Sequence, residues 1–254
     1  VRISNKWGLM NKEGKEVLKV IYDEIGEFND LGIAMVMGEG LYGMVASDGR
    51  IIAPLKYNTI GKFEAGLALV TVEGKYGIID ITGREVTAIV YDTFEPYAIN
   101  GLAKVTIDGL IGWVSRSGME IVPVVNSEVG EWTEDGMNWV KEGELYGWIT
   151  TEGKRITKVE YTQLWPFDAR GIGKVAKEGL YSWITKDGKL ISPVAYNEVG
   201  EWTEDGLNWI KQGELYGWID VTGKALTKVI YTAIWPFEPN NLAKVQQEAG
   251  FNWI

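Results

Sequence analysis

Leu207-Asn208-Trp209-Ile210-Lys211-Gln212-Gly213-Glu214-Leu215-Tyr216-Gly217-Trp218-Ile219-Asp220 is the stretch from which the fold is read. Residues 207–211 and 216–220 each alternate in character with period two, and the Gln212-Gly213-Glu214 segment between them has hairpin composition. The stretch predicts two antiparallel strands. Downstream, Val221-Thr222-Gly223-Lys224 predicts a second turn and residues 225–231 a third strand. Ile234-Trp235-Pro236-Phe237 then reads as a short extended piece, in which the proline argues against a central strand.

The Leu215-Tyr216-Gly217 triplet belongs to a series. Lys6-Trp7-Gly8 comes back as Leu41-Tyr42-Gly43, Lys75-Tyr76-Gly77, Leu110-Ile111-Gly112, Leu145-Tyr146-Gly147, Leu180-Tyr181-Ser182, Leu215-Tyr216-Gly217 and Gly250-Phe251-Asn252, at a step of 35 residues and once of 34. A period this strict describes one supersecondary unit copied in tandem. Because a unit of this size is too small to bury enough surface alone, each copy must pack on its neighbours.

Two glycine series mark backbone shapes made repeatedly: Gly14, Gly49, Gly83, Gly118, Gly153, Gly188 and Gly223 in the turn, and Gly32, Gly66, Gly101, Gly136, Gly171 and Gly206 before the first strand, with Asn241 in the final place. Val36, Val70, Val105, Val140, Val175, Ile210 and Val245 supply an inward residue, two positions after a small one such as Ala34 or Asn138. Each copy also carries an aromatic at Phe28, Phe63, Tyr97, Trp132, Phe167, Trp202 or Phe237. A tyrosine recurs from Tyr22 to Tyr231, replaced once by Asn126.

The Gly-Leu-Ala-x-Val strand, the Lys-Trp-Gly or Leu-Tyr-Gly strand, the Asp-x-Thr-Gly-Lys turn at residues 220–224, and a Tyr before a Phe or Trp resemble the WG-repeat (KWG) family of bacterial proteins. The likeness covers essentially the whole chain and departs from the pattern at Ile111, Ser182 and Asn252. It implies bacterial origin, β-rich tandem repeats and frequent occurrence in exported or surface proteins. It carries over no catalytic residue.

The repeat runs through residues 1–254 without a linker, so one array of about seven copies is expected. Since it starts and stops inside a copy, the sequence reads as a piece of a longer precursor. A second rhythm of 70 residues overlies the first: residues 127–167 nearly repeat as 197–237, and one strand position runs Met35, Leu69, Lys104, Trp139, Lys174, Trp209, Lys244. Such alternation suits an open β-solenoid or superhelical stack of three-stranded meanders better than a seven-bladed propeller, whose blades share one environment. The propeller is the alternative.

Lys and Arg number 25 against 35 Asp and Glu, a net charge of -10, which disfavours nucleic acid and anionic membranes as partners. With neither cysteine nor histidine, thiolate and imidazole ligands and every imidazole-dependent triad are excluded. No apolar run is long enough to span a membrane as a helix, and residues 1–30 lack the charged-then-apolar pattern of a signal peptide. An exported or cell-surface location rests on the family resemblance alone, with the cytoplasm open.

Trp139 and Trp209 are the leading partner-binding candidates, because sister copies carry lysine there. Either they form a row of exposed indoles, or they pack on the next copy as aromatics in repeats commonly do. Trp165 and Trp235, aligned with Glu95, join them as peripheral candidates. Trp132, Trp202, Trp148, Trp183 and Trp218 read as core. Glu131, Glu134 and Asp135, with their copies Glu201, Glu204 and Asp205, lack the spacing of a calcium loop and read as solvated turns. Since these acids come in duplicate rather than as one distinctive constellation, no catalytic residue, metal ligand or cofactor is expected. The sequence points to a non-enzymatic binding or scaffold module with a protein partner or self-association. A carbohydrate-binding surface array and a structural spacer or filament subunit are the alternatives.

Overall fold

In the computed structural model, residues 1–238, 242–248 and 250–254 are described; Asn241, the last member of the second glycine series, lies outside them. The chain is all-β, with no helix and no barrel-closed sheet among the described residues. It is a tandem series of antiparallel sheets, each with three or four strands. Two compact units divide it, Val1–Asn126 and Ser127–Ile254.

The centre of each sheet is the expected hairpin. Leu207–Gln212 and Leu215–Asp220 pair without a break, from Leu207 opposite Asp220 to Gln212 opposite Leu215. Two turn chemistries close these hairpins. Glu39-Gly40, Glu73-Gly74, Asp108-Gly109 and Glu178-Gly179 have both central residues at positive φ, as a type I′ turn requires, whereas Gly143-Glu144 and Gly213-Glu214 place only the leading glycine there, as in type II′. Both types match the natural strand twist. A short edge strand precedes every hairpin after the first, as at Glu198–Val199 or Ala233–Phe237, the latter bearing Pro236 at the sheet margin where no ladder donor is needed.

The third strand is where expectation and structure part. Glu16–Tyr22, Ile51–Tyr57 and Glu120–Asn126 are strands, but residues 225–231 form no strand and meet the hairpin through the isolated bridges Tyr216 to Tyr231 and Ile219 to Ala225 and through bonds around Trp218, whose carbonyl accepts the Leu226 N–H at 2.8 Å. A hydroxyl explains the difference. Thr227 Oγ1 accepts the Trp218 N–H at 3.0 Å, as Thr157 does from Trp148 at 3.0 Å and Thr87 from Ile78 at 2.9 Å. The strand-forming copies carry Leu18, Ala53 and Val122 at this position. A side-chain oxygen thus replaces a ladder acceptor and releases the segment from the sheet. In the remaining copy Ser182, where others have glycine, donates instead to the Ser192 carbonyl at 2.6 Å.

The cores sit where successive copies meet. In the first unit Met44, Ala53 and Tyr57 pack with Ala68, Val70 and Ile79 of the next copy. In the second, Met137, Trp148 and Tyr161 pack with Val175 and Ile184, and Ile172 and Trp183 with Ile210 and Ile219. Each fully buried aliphatic or aromatic side chain contributes roughly 1.5–3 kcal/mol. The inward series from Val36 to Val245 is buried throughout. Of the tryptophans read as core, Trp148, Trp183 and Trp218 are buried, while Trp132 and Trp202 are half-buried; Phe28, of the same recurring aromatic series as Trp132 and Trp202, lies on the surface at 38% exposure.

The turn glycines lock one copy to the one before. A Cβ on Gly118 would come 1.8 Å from the Val86 carbonyl oxygen, one on Gly49 2.1 Å from that of Val17, and one on Gly223 1.8 Å from that of Ile191. Gly14 faces nothing within 4 Å.

Candidate functional site

One cross-strand position pair sets the character of every sheet surface. The residue after the edge strand lies beside the central residue of the first hairpin strand: Gly130 N–H donates to the Trp139 carbonyl at 3.0 Å, Gly200 to Trp209 at 3.0 Å, Gly61 to Leu69 at 2.8 Å and Gly26 to Met35 at 2.8 Å. Where this first residue is glycine, its partner is large and apolar. Where it is not, the partner is lysine, because Glu95 pairs with Lys104 at 2.9 Å, and Lys174 and Lys244 stand 4.6 and 5.2 Å from the ring centres of Trp165 and Trp235. A large side chain needs an empty neighbour, and a lysine needs an acid or a ring face.

The 70-residue rhythm therefore has a local cause. Glycine under tryptophan alternates with tryptophan under lysine along the Ser127–Ile254 unit, without requiring that successive sheets face opposite sides. Sequence reading singled out Trp139 and Trp209 but missed their partners Gly130 and Gly200, and it missed the rings that hold Lys174 and Lys244. The signal was present, since Gly26, Gly61, Gly130 and Gly200 change in step with Met35, Leu69, Trp139 and Trp209.

This arrangement brings the four candidate tryptophans together in two grooves of the same kind. Trp139, Tyr146, Leu164 and Trp165 line a cavity of about 690 Å³ with Glu128, Thr162 and Gln163. Trp209, Tyr216, Trp218, Ile234, Trp235 and Pro236 line one of about 320 Å³ with Thr232 and Ala233. Trp139 meets Tyr146 edge-on at 5.5 Å, and Trp209 lies at 5.8 Å from Tyr216. Both expectations for these indoles are partly met, for Trp139 and Trp209 are half-buried. Trp139 rests on the cluster containing Val175 and Ile184 of the next copy while lining the groove. Trp165 is half-buried as well, and Trp235 is 38% exposed.

The charged rim is also duplicated. Lys141 Nζ bonds Glu128 at 2.7 Å, stands 3.9 Å from Glu144 and lies over the Tyr146 ring. Lys211 repeats this with Glu198 at 2.8 Å, Glu214 at 3.9 Å and Tyr216. The hydrogen bond that Lys141 donates to Glu128 pushes its ammonium above the usual lysine range, as the one to Glu198 does for Lys211, so both stay charged at neutral pH. The acidic turns are engaged differently: Asp135 pairs with Lys186, and Glu201 stands 3.6 Å from Lys174. Among the described residues no three acids converge as a cation site would require.

A family model described as WG containing repeat matches residues 7–42, 42–76, 76–110, 181–216 and 216–249. No curated protein matches the chain. Similar solved structures include a eukaryotic initiation factor, 11% identical over 96% of this chain and 76% of that one, with a TM-score of 0.31. Hsv2 of Kluyveromyces lactis is 11% identical over 78% of this chain and 75% of its own, with a TM-score of 0.27. PorZ, a surface component of the type-IX secretion system of Porphyromonas gingivalis, is 11% identical over 93% of this chain and 37% of its own, with a TM-score of 0.26. Likenesses at these scores carry no functional argument.

Proposed function

Since the chain belongs to the WG containing repeat family, we propose that it is a non-enzymatic binding module whose Ser127–Ile254 unit offers two like tryptophan-lined grooves to a partner protein. The observation that carries this reading is the pairing of Trp139 with Trp165 in one groove and of Trp209 with Trp235 in the other. Paired aromatics at a partly desolvated rim are the usual anchors of protein recognition. The duplication also argues for binding over catalysis, since a reaction needs one distinctive set of groups.

A protein partner is preferred to a sugar because Glu128, Thr162 and Thr232, polar side chains that line the grooves, are already engaged. Thr162 Oγ1 donates to the Ala176 carbonyl at 3.2 Å, Thr232 Oγ1 to that of Gln246 at 3.3 Å, and Glu128 is held by Lys141. A sugar ring would bring hydroxyls into a site with few free partners, and desolvated hydroxyls left unpaired weaken binding.

The test is selection of peptides from a random display library on the full chain, with Trp139→Leu/Trp209→Leu as the comparison. Leucine is the conservative choice because Leu69 already sits opposite Gly61. Selected peptides should bind the double variant at least about tenfold more weakly, a loss in the range of a single binding hot spot. Binders indifferent to both substitutions, or tryptophan fluorescence that responds to oligosaccharides and not to peptides, would overturn the reading.

A further inference from the structure

We infer that the occupant of each groove is a proline-rich, extended peptide segment carrying a basic residue, an inference that rests on the binding reading above and names its ligand class. Two features of the grooves converge on that chemistry.

The walls are rings. Trp139, Tyr146 and Trp165, and likewise Trp209, Tyr216 and Trp235, leave a slot with apolar sides and indole edges. Polyproline II segments fill aromatic-lined slots with preformed, low-entropy ridges.

The charge beside Tyr146 and Tyr216 is acidic by one. Glu128 and Glu144 flank Lys141, and Glu198 and Glu214 flank Lys211, with Glu144 and Glu214 side chains each 95% exposed. Lys174 does not offset this, because it lines a separate cavity with Trp165 and is paired to Glu201. On the opposite wall of the second groove Lys244 lies 5.2 Å from the Trp235 ring and 4.3 Å from the Phe251 ring, so the acidic excess there is confined to the Tyr216 side. A basic residue in the ligand complements this rim, and the net charge of -10 favours its approach. In the first unit the corresponding cleft carries Leu69 and Glu95 in place of the two indoles, so it lacks the slot.

Calorimetric titration of the full chain tests this with a capped peptide of about ten residues, mostly proline with an arginine at each end, a length typical of groove-bound segments. Two peptides should bind per chain. Trp165→Glu and Trp235→Glu, which install opposite lysine the acid that Glu95 supplies to Lys104, should each remove one site and leave the melting curve in place. An alanine-for-proline peptide should bind at least about tenfold more weakly, as expected when preorganisation is lost. Equal binding of the alanine peptide, or an unchanged stoichiometry in both variants, would overturn the inference. Failure of the proline peptide while the display library still yields tryptophan-dependent binders would end this ligand assignment and leave the binding module standing. A library without such binders would end both.

Discussion

The indole of Trp139 lies across Gly130 so closely that a Cβ there would come 2.3 Å from Nε1, and Trp209 covers Gly200 at 2.2 Å in the same way. The glycine is thus part of the groove: it is the floor that lets the tryptophan lie down and turn an edge outward. At Gly61 the nearest Leu69 side-chain atom to such a Cβ is 3.9 Å away, so the smaller partner leaves slack.

Gly130→Ala should accordingly destabilise the chain by about 1–3 kcal/mol through overpacking. In a Trp139→Leu background the same substitution should cost distinctly less, with a coupling above about 0.5 kcal/mol. Urea unfolding midpoints of the four chains give the cycle, and additive effects would show that the indole does not rest on Gly130.

Gly118 and Gly14 have nearly the same backbone, at φ 83° and 79°, but different surroundings. Gly14→Ala should cost only the left-handed strain, about 1–2 kcal/mol. Gly118→Ala must also push aside the Val86 carbonyl, and should cost ~3 kcal/mol or more. Equal losses in thermal unfolding would refute the proposed locking of successive copies.

Thr157→Val should leave the buried Trp148 N–H without its acceptor, costing about 1–3 kcal/mol. Thr157→Ser keeps the hydroxyl and should lie near the parent in melting temperature. If valine proved neutral, the hydroxyl would not be what replaces the ladder bond.

Acid sensitivity should come partly from the hairpin clamps. Hydrogen bonding to Lys6 holds the Asp23 carboxyl below its usual range, with the Glu39 N–H adding at 2.9 Å. Lys75 and the Asp108 N–H do the same for Asp92. A carboxyl depressed by folding stabilises fully above its unfolded pKa of about 3.9, and that contribution disappears as pH falls through the folded value. Asp23→Asn/Asp92→Asn should flatten the decline in melting temperature below about pH 4 and leave the slope between pH 5 and 8 unchanged. An acid limb identical to the parent's would exclude these clamps as contributors.

Much of this was legible in the chain because it is local. Alternation over residues 207–220 located a hairpin whose turn is closed by Gly213, and the turn glycines fell at positive φ where the period placed them. The third segment misled because residues 225–231 have a strand-like apolar pattern, while Thr227, an ordinary strand residue, spends its hydroxyl on the backbone of Trp218. Copy-to-copy differences nominated all four groove tryptophans. They did not reveal that Trp139 and Trp165 share one cavity.

By itself, then, the sequence determined the all-β class, the period, the hairpins and the small-beside-large inward positions, since each follows from backbone sterics and side-chain spacing within a few residues. Only the tertiary structure decided that Gly130 floors Trp139, that Lys174 caps Trp165, and that indoles 26 positions apart face one slot. Those relations depend on cross-strand register and on how one sheet seats against the next, which bring together residues whose separation along the chain carries no trace of their meeting.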